Sequence, residues 1–429
     1  MRLGGRLAAA IEVLEDMERR HRPAAEALKD WGLSHRFAGA GDRAAIGNIV
    51  YDALRRRRSA GWLLGDDSAR GQAFGAMVLE WGILPAAINT ALDGDRFAPP
   101  PLDEAALAAI DRGLDGAPDE IRADLPDWCV PMLQAAFGDG WIDEAKALAA
   151  RPPLDMRVNT LLSERDKVLA ELSDAGARPT AIAPEGMRIA PIDGDGRHPN
   201  VQVEPAFQKG WFEIQDEGSQ LVSTLAGATP GLQVLDFCAG AGGKTLAFSA
   251  AMANKGQIFA FDSEKARLAP IFDRLKRAGC RNVQVIANPS GLEPLEGQMD
   301  LVLVDAPCTG AGTWRRRPDA KWRLSQRQLD ARLVEQASIL DAASRFVKPG
   351  GRLAYVTCSI FPNENQRQVE AFLGRSPAFR LADHEALWQA AVGGHRDRAR
   401  IGADGVVLTP AMTGTDGFYF AAMRNSDQG

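Results

Sequence analysis

Residues 235–245 read LDFCAGAGGKT, between a β-rich run at Gln233–Phe237 and a helical stretch at Thr245–Ala253. Glycines at such a turn let the backbone approach a ligand closely, and the first N–H groups of the following helix are free to bind it. The stretch therefore predicts a ligand-binding turn between the first strand and the first helix of an α/β domain.

β-rich runs and helical stretches continue to alternate after this turn. Alternation of this kind is typical of a parallel sheet with helices on both faces, so it predicts a Rossmann-like domain. The β-rich runs lie at Gln257–Phe261, Val283–Ala287, Leu301–Asp305 and Arg352–Val356, with a last strand at Gly417–Met423, and the helical stretches at Glu264–Ala278 and Gln326–Val347.

The chain before this domain has a different pattern. In residues 1–145, apolar residues recur at helical spacing, as at Ile46, Ile49 and Val50, and strand-like alternation is scarce. This periodicity predicts an all-helical N-terminal domain.

The sequence Arg-Pro-Pro at 151–153 marks a boundary. After it, residues 151–205 combine short β-rich runs with one helical stretch, which predicts a small α+β insert. Residues 206–429 then form the α/β domain.

Composition excludes several classes of protein. The 429 residues are 45% hydrophobic and 25% charged, which is typical of a folded globular chain. Apolar runs are shorter than the roughly 18–20 residues of a membrane-spanning helix, and Glu12 interrupts the first of them too early for a secretory signal. A cytoplasmic protein without membrane partners is expected. Five cysteines without a CxxC pair, and only five histidines, predict neither disulfides nor a metal site.

Basic residues are unevenly distributed, although the net charge is −6. Four consecutive arginines stand at Arg55–Arg58, and residues 314–332 hold seven basic and two acidic residues. Such clusters are expected to contact phosphates, with a solvated helix face as the alternative.

Three cofactors compete for the glycine-rich turn. A Walker A loop would need glycine where Cys238 stands, and a dinucleotide fingerprint would need a third glycine where Thr245 stands. S-adenosylmethionine is the third. Asp262 ends the second strand, 20 residues beyond Gly242, and a carboxylate there can accept both hydrogen bonds of a ribose diol. The alternative for Asp262 is a helix N-cap.

Two cysteines follow neighbouring predicted strands. Cys308 stands in the sequence DAPCTG at 305–310, and Cys358 in YVTCS at 355–359. Ligands of open α/β sheets bind where strands end, so both thiols are expected at the ligand-binding edge rather than in the core.

These two motifs resemble those of the RNA (cytosine-5) methyltransferase family, specifically the bacterial 16S rRNA methyltransferases of the RsmB/Sun type. The resemblance extends to GWFEIQDEGSQ at 210–220, GTWRRRPD at 312–319 and VKPGG at 347–351. RVNT at 157–160 resembles the RNA-binding segment that precedes the catalytic domain of the family. The segment from Gly41 to Arg55 resembles its helical NusB-type domain.

The resemblance implies an S-adenosyl-L-methionine-dependent RNA cytosine-5 methyltransferase. It makes Cys358 the nucleophile that attacks carbon 6, Cys308 the residue that assists release, and Asp305 a hydrogen-bonding partner of the base. The family commonly has Asp where this chain has Asn288, whose carbonyl can still accept from the adenine amine. The implied cofactor-binding residues are Cys238, Ala239, Gly240, Ala241, Gly242, Gly243, Lys244, Asp262, Arg267, Asn288 and Asp305.

Other functions remain open at this point. An inert RNA-binding assembly factor with a methyltransferase fold would not need Cys308 and Cys358, and a nicotinamide oxidoreductase leaves both unexplained. A DNA cytosine methyltransferase would use the Pro-Cys thiol, Cys308, as nucleophile, which leaves Cys358 without a role. The expected partner is RNA rather than DNA, with rRNA favoured over tRNA, and the expected state is a monomer.

Overall fold

The computed structural model describes residues 1–426, which divide into two compact units. The first comprises residues 1–152, 191–198 and 314–325, and the second comprises residues 153–190, 199–313 and those from 326 onward. No helix among the described residues is both long enough and apolar enough to cross a membrane.

The first unit is helical, as its periodicity predicts. Ile46, Ile49 and Val50 are fully buried, and they pack in one core with Leu7 and Phe74 from neighbouring helices. The helices are α1 (Leu3–Arg20), α2 (Ala24–Ser34), α3 (Ala40–Arg55), α4 (Arg57–Leu64), α5 (Ala69–Leu79), α6 (Pro85–Leu92), α7 (Glu104–Arg112), α8 (Asp119–Arg122), α9 (Val130–Phe137), α10 (Trp141–Ala149) and, numbered by its place in the chain, α17 (Pro318–Arg323).

The basic segment around α17 is part of this helical core. Trp314, Arg315 and Lys321 are buried, and the Trp322 indole donates to the carbonyl oxygen of Leu54 at 2.6 Å. Burial is the main effect on Lys321, and it lowers the pKa of that amine to about 8. The prediction of a phosphate-binding surface at 314–332 is therefore wrong for Arg315 and Lys321, because these cations are buried.

The arginine run is largely occupied within the same unit. Arg55 is buried and its guanidinium bonds to Asp52 at 3.1 Å. Arg57 pairs with Glu18 at 2.9 Å, and Arg56 and Arg58 pair with the carboxylates of Glu80 and Asp127. The four arginines therefore do not form an exposed basic surface, because one is buried and three are half-buried.

The second unit begins with a small antiparallel sheet, whose strand order is β2-β3-β1-β4. Met156, Val158 and Phe212 of this sheet are buried in one core with Val168 and Phe207 from the helices of the same segment. The elements are β1 (Leu154–Val158), α11 (Arg165–Glu171), β2 (Arg178–Pro179), β3 (Gly186–Ile189), α12 (Pro205–Gln208) and β4 (Phe212–Ile214).

The larger sheet has nine strands, in the order β11-β12-β13-β9-β8-β5-β6-β7, with β10 beside β13. Its strands are β5 (Gln233–Asp236), β6 (Gln257–Phe261), β7 (Val283–Ile286), β8 (Met299–Asp305), β9 (Val347–Thr357), β10 (Phe379–Leu381), β11 (Arg400–Gly402), β12 (Gly405–Leu408) and β13 (Phe418–Asn425). Its helices are α13 (Glu217–Ala226), α14 (Gly243–Ala251), α15 (Lys265–Leu268), α16 (Ile271–Ala278), α18 (Gln326–Ser344), α19 (Gln366–Arg375), α20 (His384–Ala391) and α21 (Pro410–Thr413).

The predicted Rossmann-like α/β fold is confirmed, but a wholly parallel sheet is wrong. Strands β5 to β9 are parallel, whereas β13 pairs with β9 in antiparallel register and carries the short strands β10 to β12 beyond it. The predicted helix over Glu264–Ala278 is also divided in two at Pro270, whose nitrogen has no hydrogen to donate. The strand order reverses at β5, between β6 and β8, and ligands of such sheets bind beyond the carboxyl ends of the strands there.

Candidate active site

The two cysteines predicted from sequence meet at the carboxyl edge of the sheet. Cys308 follows β8 and Cys358 follows β9, and their Sγ atoms lie 3.4 Å apart. The strands are parallel neighbours with Asp305 opposite Val356, so their ends are level. Both cysteines are free and only half-buried, which leaves the pair accessible from the edge.

Backbone hydrogen bonds join the two cysteine loops. The Ala306 N–H donates to the Val356 carbonyl, and the Gly312 N–H donates to the carbonyl of Cys358 itself, each at 2.9 Å. The loop after β8 therefore folds back over the end of β9, and this fixes the backbone that carries both thiols.

The Cys308 thiol is strongly affected by its neighbours. The hydrogen bond with Cys358, and then burial, raise the pKa of Cys308 well above its usual range. Cys308 is thus held as the protonated thiol of the resting pair, and it can donate its S–H to the sulfur of Cys358.

Lys244 and Asp305 form an ion pair next to the cysteines, with Nζ and Oδ2 2.6 Å apart. Burial alone would lower the pKa of Lys244, but the charge and hydrogen bond of Asp305 outweigh it and raise that pKa. Cys358 also interacts electrostatically with this amine. A positive charge at this point stabilises a thiolate formed beside it.

Glycine is required in two different ways in the turn between β5 and α14. Gly242 has a φ of +83°, and a Cβ there would come within 2.5 Å of the Ile271 side chain, so this glycine permits helix packing. Gly240 has a φ of +50°, and the atoms nearest to its Cβ position belong to Arg267 and Asp262, at 3.7 and 3.9 Å. The backbone at Gly240 is therefore open to a ligand on the side where Asp262 lies.

Asp262 is nearly fully buried at the end of β6. Its Oδ2 accepts from the Gly240 N–H and its Oδ1 from the Glu264 N–H, each at 2.9 Å. Helix α15 begins only at Lys265 and its N-cap residue is Glu264, so the N-cap alternative for Asp262 is wrong. Each carboxylate oxygen has a second lone pair, so a ribose diol can still be accepted.

The other predicted cofactor residues surround the same turn. Arg267 is half-exposed, with Nη1 3.9 Å from Asp262 Oδ2, and the Ala241 carbonyl accepts from Arg274 at 2.8 Å. Asn288 is exposed at the end of β7, and its Oδ1 accepts from Lys265 Nζ at 3.1 Å.

The turn also contains Ala239, Gly243 and Cys238. The Ala239 N–H donates to the Phe261 carbonyl at 2.8 Å, and Gly243 is the first residue of α14. Burial raises the pKa of the Cys238 thiol well above its usual range, so Cys238 lines the turn as a protonated thiol.

Asp236 lies in the glycine-rich motif at 235–245, but the sequence does not show its protonation state. It is buried at the end of β5, and its Oδ2 accepts from Thr245 Oγ1 at 2.7 Å, whereas its Oδ1 has no hydrogen-bond partner. Burial raises the pKa of this carboxyl to about 7. Only the fold shows this, because the burial depends on neighbouring strands.

Glu364 and Asn365 are also missing from the sequence prediction. They are buried in the loop between β9 and α19, and both bond to residues adjacent to the cysteines. The only sequence signal for these two residues is that a carboxylate and an amide stand six and seven residues after Cys358. Within residues 1–426, no three His, Cys, Asp or Glu side chains are grouped in a way that could hold a metal ion.

The chain is similar to known proteins over most of its length. The family model of 16S rRNA methyltransferase RsmB/F matches residues 224–424, and that of the ferredoxin-like domain of RsmF/B-like methyltransferases matches residues 125–192. Ribosomal RNA small subunit methyltransferase B of Escherichia coli O6:K15:H31 (strain 536 / UPEC) is 31% identical over 373 residues, covering 80% of this chain and 84% of that protein.

Solved structures share the fold. The crystal structure of PH0851 has a TM-score of 0.72 and 24% identity, covering 99% of this chain and 100% of that one. A methyltransferase homolog protein from Pyrococcus horikoshii has a TM-score of 0.59 and 25% identity, covering 72% of this chain and 97% of that one.

Proposed function

Because this chain belongs to the RsmB/F family of 16S rRNA methyltransferases, we propose that it methylates carbon 5 of a cytosine in 16S rRNA through a covalent bond between Cys358 and carbon 6. The enzyme is a methyltransferase, and its methyl donor is S-adenosyl-L-methionine. The observation that carries the covalent mechanism is the pair of accessible thiols, 3.4 Å apart at the ligand-binding edge of the sheet.

A cytosine needs a nucleophile before carbon 5 can react. Carbon 5 of the free base is a poor nucleophile, whereas addition of a thiolate to carbon 6 turns the ring into an enamine. This covalent catalysis divides one difficult step into easier ones. Lys244 supports the thiolate of Cys358, and Cys308 keeps its own proton in the resting enzyme.

In the addition step the Cys358 thiolate forms a bond to carbon 6, the electron pair of the 5,6 double bond forms a 4,5 double bond, and the displaced pair of the 3,4 double bond takes up a proton from solvent at N3. We assign Asp305 to accept the hydrogen bond of the resulting N3–H. When bound, S-adenosyl-L-methionine supplies the methyl group that carbon 5 attacks, and departs as S-adenosylhomocysteine. A base then removes the carbon 5 proton, the double bond re-forms, Cys358 leaves as thiolate and N3 returns its proton. We assign the base to Cys308, which first passes its own proton to solvent and then takes up the carbon 5 proton as a thiolate.

The turn after β5 fits the cofactor. Gly240 leaves its backbone open to a ligand beside Asp262, and the buried carboxylate of Asp262 suits a ribose diol. We assign Asp262 to bind the ribose and Asn288 to bind the adenine amine, and we place Arg267 at the edge of the cofactor site. The remaining contacts are assigned to the turn itself and the ion pair beside it, at Cys238, Ala239, Gly240, Ala241, Gly242, Gly243, Lys244 and Asp305.

RNA binding is assigned to residues 1–145 and 151–205. Next to the latter segment, just before β4 of the small antiparallel sheet, the Trp211 ring has the ammonium groups of Lys167 and Lys209 at 4.1 and 5.0 Å from its centroid. An aromatic ring between cations is typical of surfaces that stack bases beside a charged backbone.

Bisulfite sequencing tests the product and the target together. RNA is compared between a strain lacking this protein and the same strain complemented with wild type or with Cys358→Ala. We expect one 16S rRNA cytosine to lose its protection in the deletion strain and regain it only with wild type. Unchanged protection of all rRNA and tRNA cytosines would contradict the activity, and a change confined to tRNA would contradict the target.

A further inference from the structure

A buried carboxylate connects the two cysteine loops. Glu364 is fully buried, and its Oε1 accepts from the Thr309 N–H at 2.8 Å. Its Oε2 accepts from the hydroxyls of Thr309 and Ser359, both at 2.5 Å. Thr309 follows Cys308 and Ser359 follows Cys358, so one side chain bonds to the neighbours of both thiols.

Helix α18 also donates a hydrogen bond to this carboxylate. Gln336 of α18 donates from Nε2 both to Glu364 Oε1 and to the Pro307 carbonyl, each at 3.0 Å. Pro307 precedes Cys308, so the loop after β8 is held on both sides of its thiol. Burying a carboxylate is costly unless donors surround it, and here four donated hydrogen bonds do so.

Asn365 holds the other cysteine from both sides. Its Oδ1 accepts from Thr357 Oγ1 at 2.5 Å, and its Nδ2 donates to the Ser359 carbonyl at 2.9 Å. These contacts are to the residues just before and just after Cys358. Asn365 thus bonds to both neighbours of Cys358, whereas Glu364 makes two bonds to Thr309 beside Cys308 and one to Ser359 beside Cys358.

We propose that Glu364 and Asn365 are positioning residues with different main targets: Asn365 sets Cys358 for addition to the base, and Glu364, which makes two of its three bonds to the cysteine loops at Thr309, chiefly sets Cys308 for the release step. The inference rests on the proposed function, since it assigns each residue to one of its steps. Neither residue touches substrate. Their effect is on alignment, and small misplacements of reacting groups cost up to about 100-fold in rate.

The test compares two nearly isosteric variants in the full-length protein. Glu364→Gln retains size but places an amide N–H₂ against hydroxyl donors, and Asn365→Asp places a carboxylate against the Ser359 carbonyl. Labelled RNA and S-adenosyl-L-methionine are mixed with each protein, and turnover and denaturant-resistant protein–RNA adduct are measured. We expect turnover to fall about 10- to 100-fold in both. Adduct should accumulate in Glu364→Gln and remain below the wild-type level in Asn365→Asp.

Controls separate this inference from the proposed function. Glu370→Gln, on the exposed face of α19, should behave as wild type, and Cys308→Ala should accumulate adduct. If Cys308→Ala forms adduct but Glu364→Gln loses turnover without it, or retains full turnover, the positioning role is wrong. If Cys308→Ala forms none, the proposed function itself is wrong.

A milder variant covers the case in which Glu364→Gln does not fold. Thr309→Val removes one hydroxyl bond to Glu364 and leaves the backbone N–H bond in place. We expect it to accumulate adduct with a smaller loss of turnover, and thermal unfolding close to wild type. A folded Thr309→Val with wild-type turnover and no excess adduct would overturn the role of Glu364.

Discussion

The guanidinium of Arg55 donates a hydrogen bond to the main-chain carbonyl oxygen of Arg315, 2.8 Å away. The two residues are 6% and 4% exposed, although each belongs to a run of arginines. Arg317, two residues further on, is exposed. Neighbouring arginines in one basic segment therefore have different roles, because one builds the helical unit and the other faces solvent.

Arg315→Ala and Arg317→Ala should separate stability from RNA binding. Replacing the buried Arg315 side chain by alanine removes its packing inside the helical unit, so we expect Arg315→Ala to lower the free energy of unfolding by about 1–3 kcal/mol. Arg317→Ala should leave stability unchanged and flatten the log–log salt dependence of RNA affinity by about 0.7, the value for one single-strand phosphate contact. Denaturant unfolding and filter binding at several salt concentrations measure the two effects.

The opposite result would assign the residues differently. A wild-type protein whose RNA affinity does not depend on salt would contradict phosphate contacts altogether. Equal losses of stability in both variants would contradict the distinction between buried and exposed arginines.

Asp262→Ala should weaken binding of S-adenosyl-L-methionine by about 1.5–3 kcal/mol, because a charge-assisted pair of hydrogen bonds to the ribose is lost. Calorimetry measures the affinity. Asp273→Ala, exposed on α16, is the matched control and should bind as wild type does. Equal affinity of Asp262→Ala and wild type would remove this carboxylate from the site.

Asp236 should make stability depend on pH. Its pKa is about 7 in the folded protein, against an ordinary value of 3.8, so between these values the folded state binds a proton that the unfolded state has released. The stabilising contribution is therefore complete below pH 3.8 and is lost as the pH rises to about 7, with a slope of at most about 1.4 kcal/mol per pH unit.

Asp236→Asn lacks this titration. The difference in free energy of unfolding between the variant and wild type should grow in favour of the variant from pH 4 to pH 7, and then stay constant. Urea unfolding at a series of pH values gives the curve. A difference that does not vary with pH would show that Asp236 titrates alike in both states.

The fold and the cysteine pair could be predicted from sequence because their signals are local. The glycine turn at 235–245 contains its own strand end, turn and helix start, and parallel strands place Cys308 and Cys358 at one edge without further information. The family assignment drawn from these motifs is confirmed by the comparisons.

What the sequence could not show depends on contacts between distant segments. The burial of Arg55 needs residue 315, 260 positions away, and the bonds of Glu364 need Thr309 and Gln336. The antiparallel β13 has the same apolar pattern as a parallel strand, since both faces of the sheet are covered. Composition and spacing do not contain that information.

The two cysteine variants test the covalent mechanism most directly. Each is mixed with labelled RNA and S-adenosyl-L-methionine and run on a denaturing gel. Cys358→Ala should transfer no methyl group and form no adduct, because addition to carbon 6 is lost. Cys308→Ala should still add to the base and transfer the methyl group, then stall as a denaturant-resistant complex, because it lacks only the group for release. An adduct with Cys358→Ala and none with Cys308→Ala would reverse the two roles and contradict the mechanism.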